Sequence, residues 1–317
     1  MKRTIIRAAA TTAAILAATA LTGFSASAAQ APAGVNAGNS KSDRVVTIYL
    51  TRHGRTILNQ TDTVQGWSDS PLLVGTKDVA TFPVSKLDEG RPLATAVGAN
   101  LAASVGSFAV AYSGDGKRHV ETATYLLQGA GQPTLPVTQD ARLREINFGK
   151  YEGKENKELW TAAVEHLGYT IDHDAAPTAP ADATGQNGGW QTMQGVAMNN
   201  PAIGLYGMMA AIKAVSDAPE LGLPAEDCSD VDARLTVALD DIAAKAVNKN
   251  EKIVLVVSSG LSIMCFTNAP DMKTVDGGTP AAPPAGVPNL GVTKVVYKNG
   301  SFAIDGPVGS KAYYPQP

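Results

Sequence analysis

Arg52, His53 and Gly54 stand together directly after a run of β-branched and apolar residues, Val45 to Leu50. An imidazole is a nucleophile or proton carrier near neutral pH. A guanidinium is a planar fork matched to phosphate oxygens, and a glycine lets a ligand approach the main chain closely. The trio therefore suits attack by His53 on an anionic group held by Arg52. The chain has four histidines, His53, His119, His166 and His173, and none beyond residue 173. His119 lies about 100° around a helix from Arg118, which directs it to a different face. No metal-like spacing of His, Asp or Glu occurs, and two cysteines are too few for a cysteine-only zinc site. No metal and no organic cofactor is expected.

These side chains need a scaffold, and the hydropathy pattern supplies one. Val45–Leu50, Phe108–Tyr112 and Ile253–Val257 are short continuous apolar runs, as strands buried on both faces would be. Between them lie helical patterns over Leu93–Ser104, Arg118–Gln128 and Asp230–Val247; the last places Val231, Leu235, Leu239, Ile242 and Val247 along one face. Buried strands alternating with helices predict an α/β fold with a doubly wound, mostly parallel sheet. Val292–Tyr297 and Ser301–Ile304 flank Asn299-Gly300, a favoured two-residue hairpin turn, and so predict an antiparallel edge. In such sheets ligands bind beyond the carboxyl ends of the strands, where His53 and Ser259 both fall.

The chain has 317 residues with 26 basic and 29 acidic side chains, which excludes a polybasic nucleic-acid binder and a wholly disordered chain. Lys2, Arg3 and Arg7, an apolar stretch from Ala8 to Phe24, and Ala26-Ser27-Ala28 form the three parts of a signal peptide over residues 1–28. An uncleaved anchor is the alternative, at the short edge of spanning length. Cleavage would leave an exported chain of net charge −6 with no membrane association. A polar linker over 29–42 leads into one domain over 43–317. Residues 170–200 and 267–291 read as loops, and 154–229 as a cap of helices and loops inserted over the sheet. His166, His173, Trp160 and Trp190 fall in that cap. Export also permits a Cys228–Cys265 disulfide, the alternative being two separate buried thiols.

The ordered blocks resemble the histidine phosphatase superfamily, in its phosphoglycerate-mutase-like branch 1. The resemblance rests on Arg52-His53-Gly54 with Thr56 and Asn59, Gln65-Gly66-Trp67-Ser68-Asp69-Ser70-Pro71-Leu72, Ala111 to Arg118 with Glu121-Thr122-Ala123, and Leu143-Arg144-Glu145-Ile146-Asn147-Phe148-Gly149 with Tyr151-Glu152-Gly153. It implies a phosphoglycerate-mutase-like fold and a phosphatase in which His53 becomes a phosphohistidine. Glu145 would protonate the leaving oxygen and then deprotonate water. Arg52, Arg118 and Asn59 would hold the phosphoryl group. Asp69, Asp115 and Glu152 read as structural, and Arg55 as either a mouth residue or a solvated charge. The chain departs from the family at Val257-Ser258-Ser259-Gly260, where Ser259 stands at the position of the family's second histidine. A neutral hydroxyl there implies weakened catalysis on small phosphate monoesters. An anion-binding pseudoenzyme and a phosphoglycerate-type mutase are the rival readings.

Overall fold

The computed structural model describes residues 44–75, 89–169, 195, 197–281, 283 and 286–316. The leader over 1–28, the linker over 29–42, His173 and Trp190 lie outside these residues. In chain order the elements are β1 (Val46–Arg52), a one-turn helix α1 (Ile57–Gln60), α2 (Arg91–Val105), β2 (Val110–Ser113), α3 (Lys117–Gly129), β3 (Val137–Gln139) and α4 (Asn156–His166). There follow α5 (Gly204–Ser216), α6 (Cys228–Lys249), β4 (Ile253–Ser258), α7 (Gly260–Thr267), β5 (Val292–Lys298) and β6 (Ser301–Ile304).

The strands form one sheet in the order β3-β2-β4-β1-β5-β6. β1 pairs parallel with β4, placing Arg52 opposite Ser258, and β4 pairs parallel with β2. β5 and β6 are antiparallel, and the Asn299-Gly300 turn between them has positive φ at both residues (54° and 81°), as a two-residue hairpin of this hand requires. The sheet is thus mostly parallel with an antiparallel edge, as the sequence predicts.

The apolar runs are continuous because both faces of the central strands are covered. Ile48 and Leu50 of β1, with Val254 and Val256 of β4, pack against Leu235, Leu239 and Ile242 of α6. The intervening Tyr49, Leu255 and Val257 face the other way, onto Ala94, Val97 and Leu101 of α2 and Leu126 and Leu127 of α3. α6 begins at a capping box in which Asp227 accepts the Ser229 and Asp230 N–H groups and Asp230 returns to the Asp227 N–H. It ends at Asn250 in the left-handed region, φ 59°.

Within 154–229, α4 and α5 share a third apolar cluster with Phe148, Cys228 and Cys265. The two cysteines form a disulfide that ties the start of α6 to α7. Of the two cysteine readings, the paired one is observed. No helix among the described residues is long and apolar enough to cross a membrane.

Candidate active site

The carboxyl ends of β1, β2 and β4 lie side by side, so the loops that leave them converge. The His53 N–H donates to Ser258 O at 3.0 Å and the Gly114 N–H to Val257 O at 3.0 Å, which fixes the three exits against one another. His53 itself is buried. Its Nδ1 lies 2.8 Å from the carbonyl of Gly54. Only a protonated Nδ1 can bond to a carbonyl, so in the neutral ring the lone pair is on Nε2. Gly54 is held in turn by its N–H, which donates to Thr122 Oγ1 at 3.0 Å, while that hydroxyl donates to Arg118 O at 2.6 Å. Asn289 Nδ2 donates to His53 O at 3.0 Å. Thr122 and Asn289 thus position the His53 ring without touching it. Thr122 lies in a block that the family resemblance picks out, whereas Asn289 sits in a stretch that reads only as loop.

Burial holds the His53 ring neutral, well below the usual imidazole range, and the neighbouring charges of Arg118 and Arg52 push in the same direction. Arg52 donates from Nη1 to Val287 O at 2.5 Å. Gly260 gives its side chain room, since a Cβ there would stand 3.2 Å from Arg52 Cδ and Nε. Arg118 is almost fully enclosed. Its Nη1 donates to Ser68 O and Asp69 Oδ1, both at 3.0 Å, and its Nη2 to Gly66 O at 2.6 Å. The Nε–H groups of both arginines are buried with no partner among the described residues. Burial also pushes the Arg52 guanidinium below its usual range, with Glu145 opposing.

Glu145 is buried and meets the first turn of α7. Its Oε1 accepts from Ile146 N at 3.0 Å, Ser262 N at 2.8 Å and Ser262 Oγ at 3.0 Å, and its Oε2 from Leu261 N at 3.1 Å. Oε2 is therefore the oxygen with acceptor capacity to spare. A cavity of about 160 Å³ opens beside these groups, lined by Arg52, Glu145 and Gly260 and by Phe148, Trp160 and Leu261. Trp160 serves both this wall and the α4–α5 core.

The carboxylates read as structural hold loops. Glu152 accepts from the N–H groups of Gly66, Trp67, Ser68 and Phe148. Asp115 pairs with both arms of Arg144, and Asp69 bonds to Arg118 and to the Lys117 N–H. Arg55 is tied to Gln60, Asn59 and Glu89. Asn59 closes the capping box of α1, its side-chain carbonyl accepting the Thr56 N–H at 3.3 Å. It reaches the His53 loop through Asn289, whose Nδ2 lies 3.5 Å from Asn59 Oδ1. His166 is exposed at the end of α4.

One expectation is overturned. His119 does not face away from the site: its ring lies 5.5 Å from that of His53, nearly perpendicular at 77°. Its Nε2 is 2.7 Å from Ser259 Oγ. The 100° step from Arg118 holds at the Cα positions, but both residues sit in the first turn of α3, which points at the strand ends. From there Arg118 turns sideways to the 66–69 loop and His119 inward. Ser259 is fully buried and directly follows β4, and its hydroxyl is paired with His119.

Comparison with known proteins agrees with this geometry. The sequence profile of the histidine phosphatase superfamily (branch 1) matches residues 48–189. The 2,3-bisphosphoglycerate-dependent phosphoglycerate mutase 2 of Gloeobacter violaceus is 32% identical over 111 residues, covering 35% of this chain and 43% of that protein. The corresponding mutase of Bartonella quintana is 28% identical over 113 residues, 36% of this chain and 48% of that one. The chain spans about half the length of the curated relatives it matches. Among solved structures, phosphoglycerate mutase from Bacillus anthracis superposes with a TM-score of 0.65 at 29% identity, covering 87% of this chain and 97% of that one. The sheet order, the buried residues at the strand ends and these similarities agree: the chain is similar to the histidine phosphatase superfamily, branch 1, over residues 48–189.

Proposed function

We propose that the protein is an exported phosphatase that hydrolyses small phosphate monoesters through a phosphohistidine on His53. The observation that carries this reading is the Nδ1 bond to Gly54 O, which leaves the His53 lone pair on Nε2 beside two arginines with unpartnered Nε–H groups. Nε2 attacks phosphorus as the ester P–O bond breaks, and a proton from Glu145 Oε2 goes to the departing oxygen. The ring then carries a positive charge, which the Nδ1–H bond to Gly54 O disperses. Glu145 next takes a proton from water, the hydroxide attacks phosphorus, and the P–N bond breaks to release phosphate. Arg52 and Arg118 stabilise charge on the equatorial oxygens, with Asn59 at the margin and Ser259 beside them.

The basic, apolar and Ala-Ser-Ala segments over 1–28 support export. The similarity to phosphoglycerate mutases supports a second reading, in which the phosphoryl group on His53 returns to a bound acceptor instead of water. The purified protein is to be assayed on p-nitrophenyl phosphate, sugar phosphates and phosphoglycerates. Release of phosphate that disappears in His53→Ala supports the phosphatase. Isomerisation of phosphoglycerate without release favours the mutase, and phosphate binding with no turnover favours an anion-binding pseudoenzyme. Hydrolysis unaffected by His53→Ala removes the assigned nucleophile.

A further inference from the structure

His119 is a buried imidazole that the reaction above does not use. Three observations set it apart from a packing residue. Its Nε2 has one partner, Ser259 Oγ at 2.7 Å, while its Nδ1 is buried with none among the described residues. The ring lies where glycines make space for it: a Cβ on Gly114 would come 2.7 Å from Nδ1, and one on Gly116 3.0 Å. Ser259 is the residue before α7, where a serine ordinarily caps the helix, yet its side chain makes no cap bond and meets His119 instead.

The two possible neutral tautomers differ in what they leave orphaned. A proton on Nδ1 would bury an N–H without an acceptor, and such donors are rarer in proteins than under-satisfied acceptors. A proton on Nε2 leaves only a lone pair at Nδ1 and makes Nε2 a donor to Ser259 Oγ. The serine hydrogen is then free to be donated elsewhere. Ser259 follows Ser258, whose carbonyl accepts the His53 N–H at 3.0 Å, and its partner ring on His119 lies 5.5 Å from the His53 ring, so the serine belongs to the same cluster.

We infer that His119 is a positioning residue for phosphoryl transfer: by donating to Ser259 Oγ it fixes that hydroxyl as a hydrogen-bond donor to the phosphoryl oxygens held at His53. The inference rests on the phosphatase reading for the identity of the anion, but it is testable without turnover. Burial, reinforced by the charges of Arg118, Arg144 and Arg234, keeps the His119 ring neutral, as a one-proton relay requires.

The test measures binding of inorganic phosphate by calorimetry, and turnover of p-nitrophenyl phosphate, in the wild type and in His119→Ala, His119→Gln, Ser259→Ala and the His119→Ala/Ser259→Ala double variant. His119→Ala and Ser259→Ala are each expected to weaken phosphate binding about tenfold, the loss of one neutral donor to an anion. The double variant is expected to lose no more than either single one, because the pair acts as a unit. His119→Gln places an amide N–H near the Nε2 position and is expected to stay within about threefold of wild type. Unchanged binding in Ser259→Ala, multiplicative losses in the double variant, or a His119→Gln as weak as His119→Ala would each overturn the inference. Should His119→Ala fail to fold, Ser259→Ala and His119→Gln still decide it. Intact phosphate binding with no turnover in the wild type would count against the phosphatase reading alone.

Discussion

Gly260 is where a single added methyl group separates the site from the fold. A Cβ there would lie 3.2 Å from Arg52 Cδ and Nε and 3.4 Å from Cζ, closer than ordinary contact by a few tenths of an ångström. Arg52 cannot simply swing aside. Its Nη1 is bound to Val287 O at 2.5 Å and its main-chain N–H to Gly291 O at 3.1 Å, so the guanidinium has to shift while anchored at both ends. Gly260 is the first residue of α7 and is not among the positive-φ glycines, so alanine suits its backbone. The gain in helix propensity is at most about 1 kcal/mol. Stability should therefore hold or rise slightly while the phosphate clamp loosens. A misplacement of about 1 Å can cost about 10²-fold in rate, so a few tenths should lower kcat/KM of Gly260→Ala by about 3- to 10-fold. Thermal unfolding and p-nitrophenyl phosphate kinetics on the same preparation are the assay. A folded Gly260→Ala with kcat/KM within about twofold of wild type would refute the placement of Arg52 on the phosphoryl group.

Two predictions concern stability. His53 and His119 are held neutral well below the ordinary imidazole value of 6.5, whereas in the unfolded chain both take up a proton as pH falls through that value. The unfolded state then binds more protons, so stability falls as pH drops from 7 through the ordinary imidazole value. Denaturant unfolding across this range should show the loss, and His119→Gln should show a smaller one; an equal loss in both proteins would contradict the burial of an uncharged His119. Removing the Cys228–Cys265 bridge, which closes a span of 37 residues, should cost about 4 kcal/mol in the chain-entropy account. Denaturation of Cys228→Ala/Cys265→Ala against wild type tests this, and a difference below about 1 kcal/mol would mean that the unfolded chain is already restricted there.

What was legible in the sequence follows from how local each signal is. The strands β1, β2 and β4 announce themselves as apolar runs because both sheet faces are covered, and the β5–β6 hairpin through the Asn299-Gly300 turn because its backbone demands it. The edge strand β3 does not: Val137–Gln139 is three residues long and mostly exposed, so it carries no hydropathy pattern. His53, Arg52, Glu145 and Ser259 were found because each sits in a short motif at a strand or loop end. The direction of His119 was not, because angular spacing on a helix describes Cα positions. It cannot register that Gly114 and Gly116, on the preceding loop, leave a space the ring can enter. The cysteine pair was undecidable from composition; the meeting of α6 with α7 decides it. The pairing of Ser259 with an imidazole from another element is likewise invisible in the sequence, because the two residues are 140 positions apart.

The central claim is that phosphate passes through Nε2 of His53. Rapid acid-free quench of the protein during turnover of p-nitrophenyl phosphate, followed by peptide mass spectrometry, tests it directly. A phosphoryl group on the His53 peptide, labile to acid, stable to base and absent in His53→Ala, is the predicted result. Turnover with no such adduct, or an adduct on another residue that survives in His53→Ala, would contradict it.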